Sequence, residues 1–502
     1  MEYLEKSAEC FSDKVAFCDP EREMTFSETV ESSKRIGTFI AERCEARLPV
    51  AVIMEKNITN ISCFFGAVYG GCFYVPIDSA MSSERMRTML KTLNPGMIIT
   101  DNENLENVKN VSSEYNIFTY DEAVSCDKNE DKLIKIRQSS TDKDPLYAVF
   151  TSGSTGVPKC VLISHAGAVD FFEEFVNVFG FNENDVIGNQ APFDFDVSAK
   201  DIYATIISGA TMCIIPKQHF SFPKNLISYL NEKHVTSVTW AVSALVIASA
   251  LGALKTEKPK YINKVLFSGE VMPVKHLNEW RRVLPEATFV NLYGPTEITC
   301  NCTYYVVDRD YEETETLPIG KAFKNTKIVL LDEDNKAVTT GGTGEICVAG
   351  TCVALGYYNN KEQTQKAFVQ NPLNDLYPEI IYRTGDLALL LPDGNMKFMS
   401  RKDFQIKHMG HRIELGEIET AVSSIEGIRM CCCIFDDVAK KIILFHESDD
   451  LTSRDILQKL ASLLPKYMYP NKLIKLEKMP MNKHDKIDRV RLKSLYKENG
   501  EV

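Results

Sequence analysis

Strand-like and helix-like segments alternate through most of this chain of 502 residues. An apolar run at 50–56, a helix-like stretch at 58–71 and a further apolar run at 74–78 form the clearest instance. The same order returns at 187–216. Strands that follow one another through a helix pair in parallel, and the helices cover the faces of the sheet. The alternation therefore predicts an α/β fold with parallel sheets.

The alternation ends near Thr316. Residues 319–350 have the period of β-hairpins, interrupted by turn-forming segments at 332–335 and 339–344. From about Arg401 a different unit begins, in which two helix-like segments flank a pair of apolar strands at 429–448. At roughly 150 residues per domain the length suggests about three domain-sized units.

Charge excludes two classes of partner. The chain has 57 basic and 69 acidic residues, so its formal net charge is −12. Proteins that bind nucleic acid gather Lys and Arg into patches, and anionic membranes attract basic segments. No basic run or aromatic platform occurs in the sequence. We therefore predict no nucleic-acid partner and no adhesion to anionic membranes.

The 15 cysteines are scattered without regular spacing, which predicts free thiols in a reducing compartment and a cytoplasmic location. The triplet at 431–433 is expected on a buried strand rather than at a metal, because consecutive strand residues point to opposite faces. The N-terminal segment lacks the apolar core of a signal peptide. Residues 235–254 carry no charge, yet a buried strand followed by a buried helix is the better interpretation than a membrane span.

The segment at 147–165 is the most informative about chemistry. An apolar strand leads into a loop of Gly and hydroxyl residues, then into Lys159 and a second strand. Gly153 and Gly156 permit a close backbone approach, and the hydroxyls and the lysine supply donors and a cation. This composition suits a polyphosphate, although it is not a Walker A loop. The alternative is a flexible surface hairpin, which the composition disfavours.

Two further segments place carboxylates beside turns. In 289–299 a short strand ends at Tyr293, Gly294 follows, and Glu297 comes three residues later. Glu297 either caps a helix or holds a divalent cation beside phosphates, and the pattern does not choose between them. In 382–394 Asp386 is expected at a turn before an apolar strand, where a carboxylate can accept both hydroxyls of a ribose.

The last two segments lie towards the C-terminus. Residues 400–419 alternate basic and apolar side chains before a helix, which is typical of a charged domain boundary. Residues 480–489 form a polar loop that contains Lys483 and Lys486. The pattern alone gives no reason to prefer either lysine.

Taken in order, these segments resemble the adenylate-forming ligases. The resemblance is strongest to the amino-acid adenylation domains of nonribosomal peptide synthetases and to D-alanine–carrier protein ligases. It covers nearly the whole chain and includes further motifs at 68–78, 194–203, 266–273 and 344–359. It implies an α/β fold with a large N-terminal domain of two parallel-type sheets layered with helices and a small β-barrel-like subdomain. A small, mobile α+β C-terminal domain would complete it.

The resemblance implies ATP as a substrate and Mg²⁺ as the accompanying ion. Residues 151–159 would cradle the β- and γ-phosphates, while Thr296 and Glu297 would contact the α-phosphate and Mg²⁺. Tyr293 would stack on adenine, and Asp386 would hold the ribose with help from Arg401. The full set of implied ATP-binding residues is Thr151, Ser152, Gly153, Ser154, Thr155, Gly156, Lys159, Asn291, Tyr293, Gly294, Asp386 and Arg401.

The C-terminal segment carries the implied catalytic lysine. Lys486 matches the invariant lysine of the family and would bridge the attacking carboxylate and the α-phosphate, with Asp485 in place of the usual glycine. Asp403 matches the hinge about which the small domain rotates, after which 407–412 would line the thiol tunnel. The implied domains are 1–399 for the adenylation core, 400–403 for the hinge and 404–502 for the mobile domain.

Asp196 aligns with the aspartate that pairs with the α-ammonium of amino-acid substrates, which is a favourable charge-assisted contact. The remaining implied pocket residues are Val197, Lys200, Ala241, Leu266, Ser268, Leu292, Cys300 and Asn301. Most are small or apolar. Lys200 is the exception, and it either meets an acidic side chain or, as the favoured expectation, extends its ammonium to solvent.

The predicted function is ATP-dependent activation of an amino acid, followed by transfer to the phosphopantetheine thiol of a separate carrier protein. D-alanine is one possible substrate, although Ser268 stands where those ligases usually have Cys. The alternatives are an acyl- or aryl-CoA ligase and a catalytically inactive binding module. An acyl-hydroxamate screen with amino acids, fatty acids and benzoates separates the amino-acid ligase from the CoA ligase. Pyrophosphate exchange tests for the inactive binding module.

Overall fold

The computed structural model describes residues 1–153, 157–402, 405–449, 451–481 and 487–498. The chain divides into two compact units. The first comprises Met1–Ser79, Leu93–Phe150 and Cys160–Lys402. The second comprises Ala80–Thr92, Thr151–Lys159 and Asp403–Val502.

Seven strands and seven helices alternate in the first part of the chain. The strands are β1 (Val15–Cys18), β2 (Glu23–Thr25), β3 (Pro49–Met54), β4 (Phe73–Asp78), β5 (Met97–Thr100), β6 (Ile117–Thr119) and β7 (Pro145–Thr151). The helices are α1 (Glu2–Cys10), α2 (Phe26–Arg43), α3 (Ile58–Tyr69), α4 (Ser83–Leu93), α5 (Leu105–Ser112), α6 (Tyr120–Val124) and α7 (Glu130–Ser139).

The alternation continues to about residue 306 and then gives way to strands. The strands are β8 (Lys159–Ser164), β9 (Val186–Asn189), β10 (Thr211–Ile214), β11 (Ser237–Ala241), β12 (Lys264–Ser268), β13 (Thr288–Tyr293), β14 (Thr303–Val306), β15 (Lys321–Ala322), β16 (Thr326–Leu331), β17 (Thr343–Gly350), β18 (Gly356–Tyr357), β19 (Phe368–Gln370), β20 (Ile380–Leu390) and β21 (Met396–Arg401). The helices are α8 (His165–Phe179), α9 (Val197–Ser208), α10 (Pro223–Glu232), α11 (Val242–Ala250), α12 (Ala253–Thr256), α13 (Val274–Val283) and α14 (Lys361–Ala367), with short 3-10 turns at Lys217–Ser221 and Thr296–Ile298.

The first unit contains three sheets. Nine strands are ordered β15-β14-β13-β12-β11-β9-β10-β1-β2, and those from β13 to β1 run parallel to their neighbours. Seven strands are ordered β18-β8-β7-β4-β3-β5-β6. The hairpin region forms an antiparallel five-stranded sheet of β16, β17, β19, β20 and β21. The predicted α/β class with layered sheets is confirmed.

A shared apolar core joins the two large sheets. Helices α2, α3, α8 and α9 contribute aromatic and aliphatic side chains to a cluster that also contains residues of both sheets, such as Phe17 and Val52. On the other face of the nine-stranded sheet, α10, α11 and α13 pack around Trp240 and Trp280. Each large sheet is therefore buried by helices, as parallel sheets require.

The uncharged segment at 235–254 is β11 followed by α11, as the sequence predicts, and both are largely buried. Among the described helices, none has the length and apolar character needed to cross a membrane.

The cysteine prediction is wrong at one pair. Cys18 and Cys213 are paired residues of the adjacent parallel strands β1 and β10, and the structure joins them in a disulfide. The register places their Cα atoms 4.7 Å apart, and scattered sequence positions gave no sign of that proximity. The triplet Cys431, Cys432 and Cys433 lies on a buried strand, as predicted.

The described C-terminal residues of the second unit form a small α+β structure. It contains β22 (Gln405–His408), β23 (His411–Glu414), α15 (Leu415–Ser423), β24 (Ile428–Asp436), β25 (Lys441–Ser448), α16 (Ser453–Leu463), a 3-10 turn at Lys466–Met468, β26 (Lys472–Lys475) and α17 (Arg489–Glu498). β22 and β23 pair as a hairpin, and β24, β25 and β26 form a sheet. Helices α15 and α16 cover one face of that sheet through Ile418, Ile456 and Leu460.

Substitution of Trp280 tests how much the packing of α10, α11 and α13 on the nine-stranded sheet contributes to stability. Its side chain is fully buried, and its indole N–H donates to the Leu245 carbonyl at 3.0 Å. We expect Trp280→Ala to lower the free energy of unfolding by about 3–5 kcal/mol, because it leaves a cavity and removes the hydrogen bond to the Leu245 carbonyl. Arg282→Ala, an exposed position on the same helix, should stay within about 0.5 kcal/mol of the parent. Equal losses in denaturant unfolding would contradict this account.

Candidate active site

Four neighbouring parallel strands of the nine-stranded sheet end at one edge. β9 ends at Asn189, β11 at Ala241, β12 at Ser268 and β13 at Tyr293. Ala241 and Ser268 are register partners, so their side chains are neighbours at that edge. In open α/β sheets ligands bind outside the carboxyl ends of the strands. The sheet therefore brings together three residues that the sequence places 27 and 25 positions apart.

Helix α9 presents two charged residues on one face. Asp196 is its N-cap residue and Lys200 lies one turn further on, and residues four apart share a helix face. Burial raises the pKa of Asp196, although Lys200 and a hydrogen bond from the Thr296 side chain favour the charged form. Asp196 therefore lies beside Thr296.

The favoured expectation for Lys200, an ammonium extended to solvent, is wrong. The side chain is fully buried, and its Nζ donates to Asn301 Oδ1 at 2.7 Å. Burial lowers the pKa of Lys200, while Cys300, Asp196 and Asp201 act in the opposite direction. Helix α9 is packed into the core on this side, so the lysine has no path to water along the helix surface.

The loop after β13 packs against helix α9. Thr299 and Cys300 both have left-handed backbone, with φ of 57° and 73°. This turn brings Asn301 so close to Gly294 that a Cβ there would lie 2.5 Å from the Asn301 Cα. The Cys300 thiol donates to the Asp196 carbonyl at 3.1 Å. Backbone geometry thus holds Cys300 and Asn301 against α9.

The remaining predicted pocket residues are apolar. Leu266 and Leu292 are buried on adjacent strands and join the core, and Val197 is the first residue of α9. A cavity of about 10 Å³ touches Asp196 and is walled by aromatic rings that include Tyr74 and Tyr147. Sequence reasoning missed these two tyrosines, because apolar strand positions carry no sign of what they face.

A larger cavity of about 640 Å³ lies elsewhere, between α1, α2 and α7. Its lining includes ion-paired side chains such as Glu5, Lys34 and Arg137, and none of the predicted site residues. Size alone does not make a site without convergent functional groups. The cavity beside Asp196 has room for about one water molecule, so the functional groups gathered there, rather than its volume, make that edge of the sheet the better candidate.

A second group of predicted residues meets around Asp386. The Tyr293 hydroxyl donates to Asp386 Oδ2 at 2.5 Å, and Arg401 Nη1 donates to Oδ1 at 2.6 Å. The expectation that Asp386 lies at a turn is wrong. It lies inside β20, where it is the register partner of Arg401. Gly385 before it has φ of 72°, which explains why the sequence suggested a turn. Asn291, on the same strand as Tyr293, donates to the Pro318 carbonyl at 2.7 Å.

Glu297 lies in the 3-10 turn and is fully buried. Its Oε1 accepts a hydrogen bond from the Tyr357 hydroxyl at 2.8 Å. A carboxylate is the hard oxygen donor that Mg²⁺ prefers, and Mg²⁺ usually takes one or two carboxylates together with substrate phosphates. In the described part of the chain no group of three or more His, Cys, Asp or Glu residues can hold a metal by itself. The residues present fit an ion that arrives with a nucleotide.

The predicted phosphate-binding loop, residues 151–159, belongs to the second unit. Ser152 Oγ donates to the Arg412 carbonyl at 2.9 Å, and Lys159 Nζ lies 4.0 Å from a Glu414 carboxylate oxygen. A Cβ on Gly153 would collide with the Val157 carbonyl, so this position requires glycine. Thr151 ends β7. The predicted residues Ser154, Thr155, Gly156, Asp403 and Lys486 lie outside the described residues.

Solved structures of adenylation enzymes share this fold. An adenylation domain from Vibrio cholerae, AlmE, solved with glycyl-adenosine-5'-phosphate, superposes with a TM-score of 0.84 at 20% identity, over 99% of this chain and 97% of that one. PA1221, a protein with adenylation and carrier domains, gives 0.83 at 22% identity over 98% and 83%. o-Succinylbenzoate CoA synthetase of Bacillus subtilis gives 0.85 at 18% identity over 98% of both chains. The fold is that of adenylate-forming enzymes.

Sequence comparison makes the assignment at the family level. The family model described as AMP-binding enzyme matches residues 4–358, so the chain belongs to this family and is an adenylate-forming ligase. Zwittermicin A synthase ZmaJ of Bacillus cereus is 32% identical over 95% of this chain and 91% of its own length. Tyrocidine synthase 1 of Brevibacillus parabrevis is 31% identical over 97% of this chain, which spans 44% of that relative.

Gly294 tests whether the loop shape creates the pocket. We expect Gly294→Ala to abolish substrate-dependent activity with the fold retained, because the new methyl group must displace the backbone at Cys300 and Asn301. Gly180→Ala is the matched control, since its Cβ meets nothing within 4 Å and only its positive φ is strained. The control should lose about 1 kcal/mol of stability and no activity. Full activity in Gly294→Ala, measured as pyrophosphate exchange, would contradict the proposed loop role.

Proposed function

We propose that this ligase activates an amino acid with ATP to give aminoacyl-AMP and pyrophosphate. It then transfers the aminoacyl group to the phosphopantetheine thiol of a separate carrier protein. The observation that carries the proposal is the carboxylate of Asp196, the N-cap residue of α9, which lies beside Thr296. A carboxylate in a pocket with apolar walls suits a substrate ammonium, since an unpaired buried charge is costly.

The first half-reaction joins two anions. The substrate carboxylate oxygen attacks the α-phosphorus of ATP, and the bond from that phosphorus to the bridging oxygen of pyrophosphate breaks. Asp196 would bind the substrate ammonium and Thr296 the α-phosphate, so that the proximity of the two residues would hold the reacting groups close together. Lys486 would neutralise the charge shared by carboxylate and phosphate.

The nucleoside would be held by the group around Asp386. Its carboxylate is already oriented by Arg401 and Tyr293, so it is available for ribose hydroxyls without having to reorganise. The adenine would stack on Tyr293, near Asn291 and Gly294. The loop of 151–159, with Lys159, would bind the β- and γ-phosphates. Glu297 would hold Mg²⁺, which supplies positive charge to the phosphates when bound.

In the second half-reaction a thiol sulfur attacks the aminoacyl carbonyl, AMP leaves, and the thiol proton is lost. A carrier thiol is supported by the adenylation–carrier architecture named for PA1221, and an amino-acid substrate by the glycyl adenylate named for AlmE. An acyl- or aryl-CoA ligase is the second candidate, because the CoA synthetase of Bacillus subtilis shares the fold. Asp196 favours the amino acid, since a plain carboxylic acid gives that carboxylate no cation.

We further propose functional domains of 1–399 and 404–502 joined by a hinge at 400–403 that includes Asp403. Rotation about this hinge would replace Lys486 at the reacting atoms by residues of the β22–β23 hairpin, which spans Gln405–Glu414. The cytoplasmic location stays a prediction.

Lys486 is the decisive test of the catalytic assignment. We expect Lys486→Ala to slow amino-acid-dependent pyrophosphate exchange by about 100-fold or more, because one positive group at the transition state is lost. Lys483→Ala removes the same charge three positions earlier and should leave the exchange near the parent rate. If Lys486→Ala exchanges at the parent rate, the lysine has been assigned wrongly. Activity with fatty or aromatic acids alone in a hydroxamate screen would instead refute the amino-acid substrate.

Asp196 should give substrate binding a recognisable pH dependence. Because burial raises the pKa of Asp196, its carboxylate is protonated on acidification earlier than an exposed aspartate, whose pKa is about 3.9. We expect the KM for the amino acid to rise as the pH falls through that raised pKa, with a smaller change in the KM for ATP. Asp196→Asn should show a high KM at every pH. A parent KM that is independent of pH down to about 4 would contradict the ammonium contact.

A further inference from the structure

We propose that Cys44 and Cys72 form a reversible dithiol site, which a small-molecule disulfide oxidises to an intramolecular disulfide by reacting first with Cys44. Both residues lie in the first unit. Cys44 is the C-cap residue of α2, and Cys72 directly precedes β4. The inference uses none of the residues of the candidate active site and does not depend on the proposed function.

The two sulfur atoms are already neighbours. They lie 3.8 Å apart, although 28 positions separate the residues in the sequence. The Glu45 carbonyl oxygen lies 3.3 Å from the Cys72 sulfur and 3.5 Å from the Cys44 sulfur, so both thiols meet at one backbone oxygen. A disulfide bond is about 2.05 Å long, so the sulfurs must approach each other by about 1.8 Å. Rotation about the Cα–Cβ bonds supplies a movement of that size.

Backbone hydrogen bonds hold the two segments together. The Arg47 N–H donates to the Gly71 carbonyl at 2.7 Å, and the Phe73 N–H donates to the Leu48 carbonyl at 3.3 Å. These two bonds lie on either side of Cys72 and join its segment to the loop that follows α2. The thiols are therefore close because of the native fold, and unfolding should separate them.

The two thiols differ in access and in acidity. Cys44 is partly exposed, whereas Cys72 is buried. A hydrogen bond from the Cys72 thiol lowers the pKa of Cys44, against the opposing effects of burial and Glu45. The same hydrogen bond, together with burial, raises the pKa of Cys72. The thiolate is the nucleophile in disulfide exchange, so Cys44 is the thiol that meets the oxidant and Cys72 completes the bond.

The oxidation takes place in two exchange steps. The Cys44 thiolate attacks one sulfur of oxidised glutathione, the S–S bond of that molecule breaks, and one glutathione thiolate leaves. Cys72 then loses its proton, and its sulfur attacks Cys44 Sγ and displaces the second glutathione. The protein thiols give up two electrons and two protons, and oxidised glutathione becomes two thiols. An added dithiol such as dithiothreitol reverses the reaction.

Cys126 provides an internal comparison. It is also partly exposed and lies in the same unit. In the described part of the chain its thiol meets the Asp127 carbonyl at 3.5 Å rather than a second thiol, and burial raises its pKa. Oxidised glutathione should therefore react slowly with Cys126, and the reaction should stop at the mixed disulfide.

The first experiment treats the full chain with oxidised glutathione and maps the products by mass spectrometry after alkylation. Trypsin releases Cys44 in the peptide 44–47, which should be found joined to the peptide 57–85. We expect Cys44 to react at least about 10-fold faster than Cys126 and to retain no glutathione. A lasting glutathione adduct on Cys44 without the cross-link overturns the inference. A cross-link that forms equally fast in urea also overturns it, because the native fold would then play no part.

Two substitutions separate the roles of the thiols. In Cys72→Ala the first step remains and the second is lost, so one glutathione should stay on Cys44. In Cys44→Ala the fast reaction should disappear, because Cys72 is buried. Cys63→Ala is the matched control, since Cys63 is buried and shares the tryptic peptide 57–85 with Cys72. This control should keep the cross-link. Its loss there, or its survival in Cys72→Ala, overturns the inference.

The melting temperature provides a readout that does not depend on peptide mapping. The cross-link closes the loop 44–72, which contains β3 and α3, and a closed loop restricts the unfolded chain. We expect treatment with oxidised glutathione to raise the melting temperature of the parent by roughly 2–8 °C. Cys72→Ala should show no such rise under the same treatment. A treated parent that melts below the untreated protein would show that the bond distorts the native backbone, and would overturn the inference.

Discussion

The hydrogen-bonded register of the nine-stranded sheet is the constraint on which the site depends. β9, β11, β12 and β13 are held side by side, so the positions at which they end are fixed relative to one another. Ala241, Ser268 and Tyr293 owe their proximity to this register. The loop after Tyr293 then folds back against α9, because Gly294 allows the backbone at Asn301 to approach. One edge of one sheet thus carries residues proposed for both substrate and nucleotide.

Two carboxylates of the candidate site differ in how the protein compensates their charge. Asp386 accepts strong hydrogen bonds from Tyr293 and Arg401, so its charge is compensated within the protein. Asp196 lies beside Thr296 but has no ion pair among the described residues, and burial raises its pKa. The first carboxylate is suited to orient neutral hydroxyls, whereas the second gains most from a ligand that brings a positive charge.

The sequence predicted the fold well because its signals are local. Alternating apolar runs and helix-like stretches located the strands and helices, and turn residues located the hairpins. Contacts that depend on register were not predictable in this way. Cys18 and Cys213 are 195 residues apart and meet because β1 and β10 pair in parallel. Lys200 was expected to reach solvent, since its burial depends on the packing of α9 against the core. Asp386 was expected at a turn, whereas it lies inside the continuous strand β20, next to Gly385 with φ of 72°.

The pairing of Ala241 with Ser268 has a consequence for variation at this edge of the sheet. Neither strand can shift without breaking its hydrogen bonds to neighbours on both sides, so the two side chains keep a fixed separation. In the function that we propose, both belong to the substrate pocket. A larger side chain at either position would then narrow that pocket while the backbone of the sheet stays unchanged.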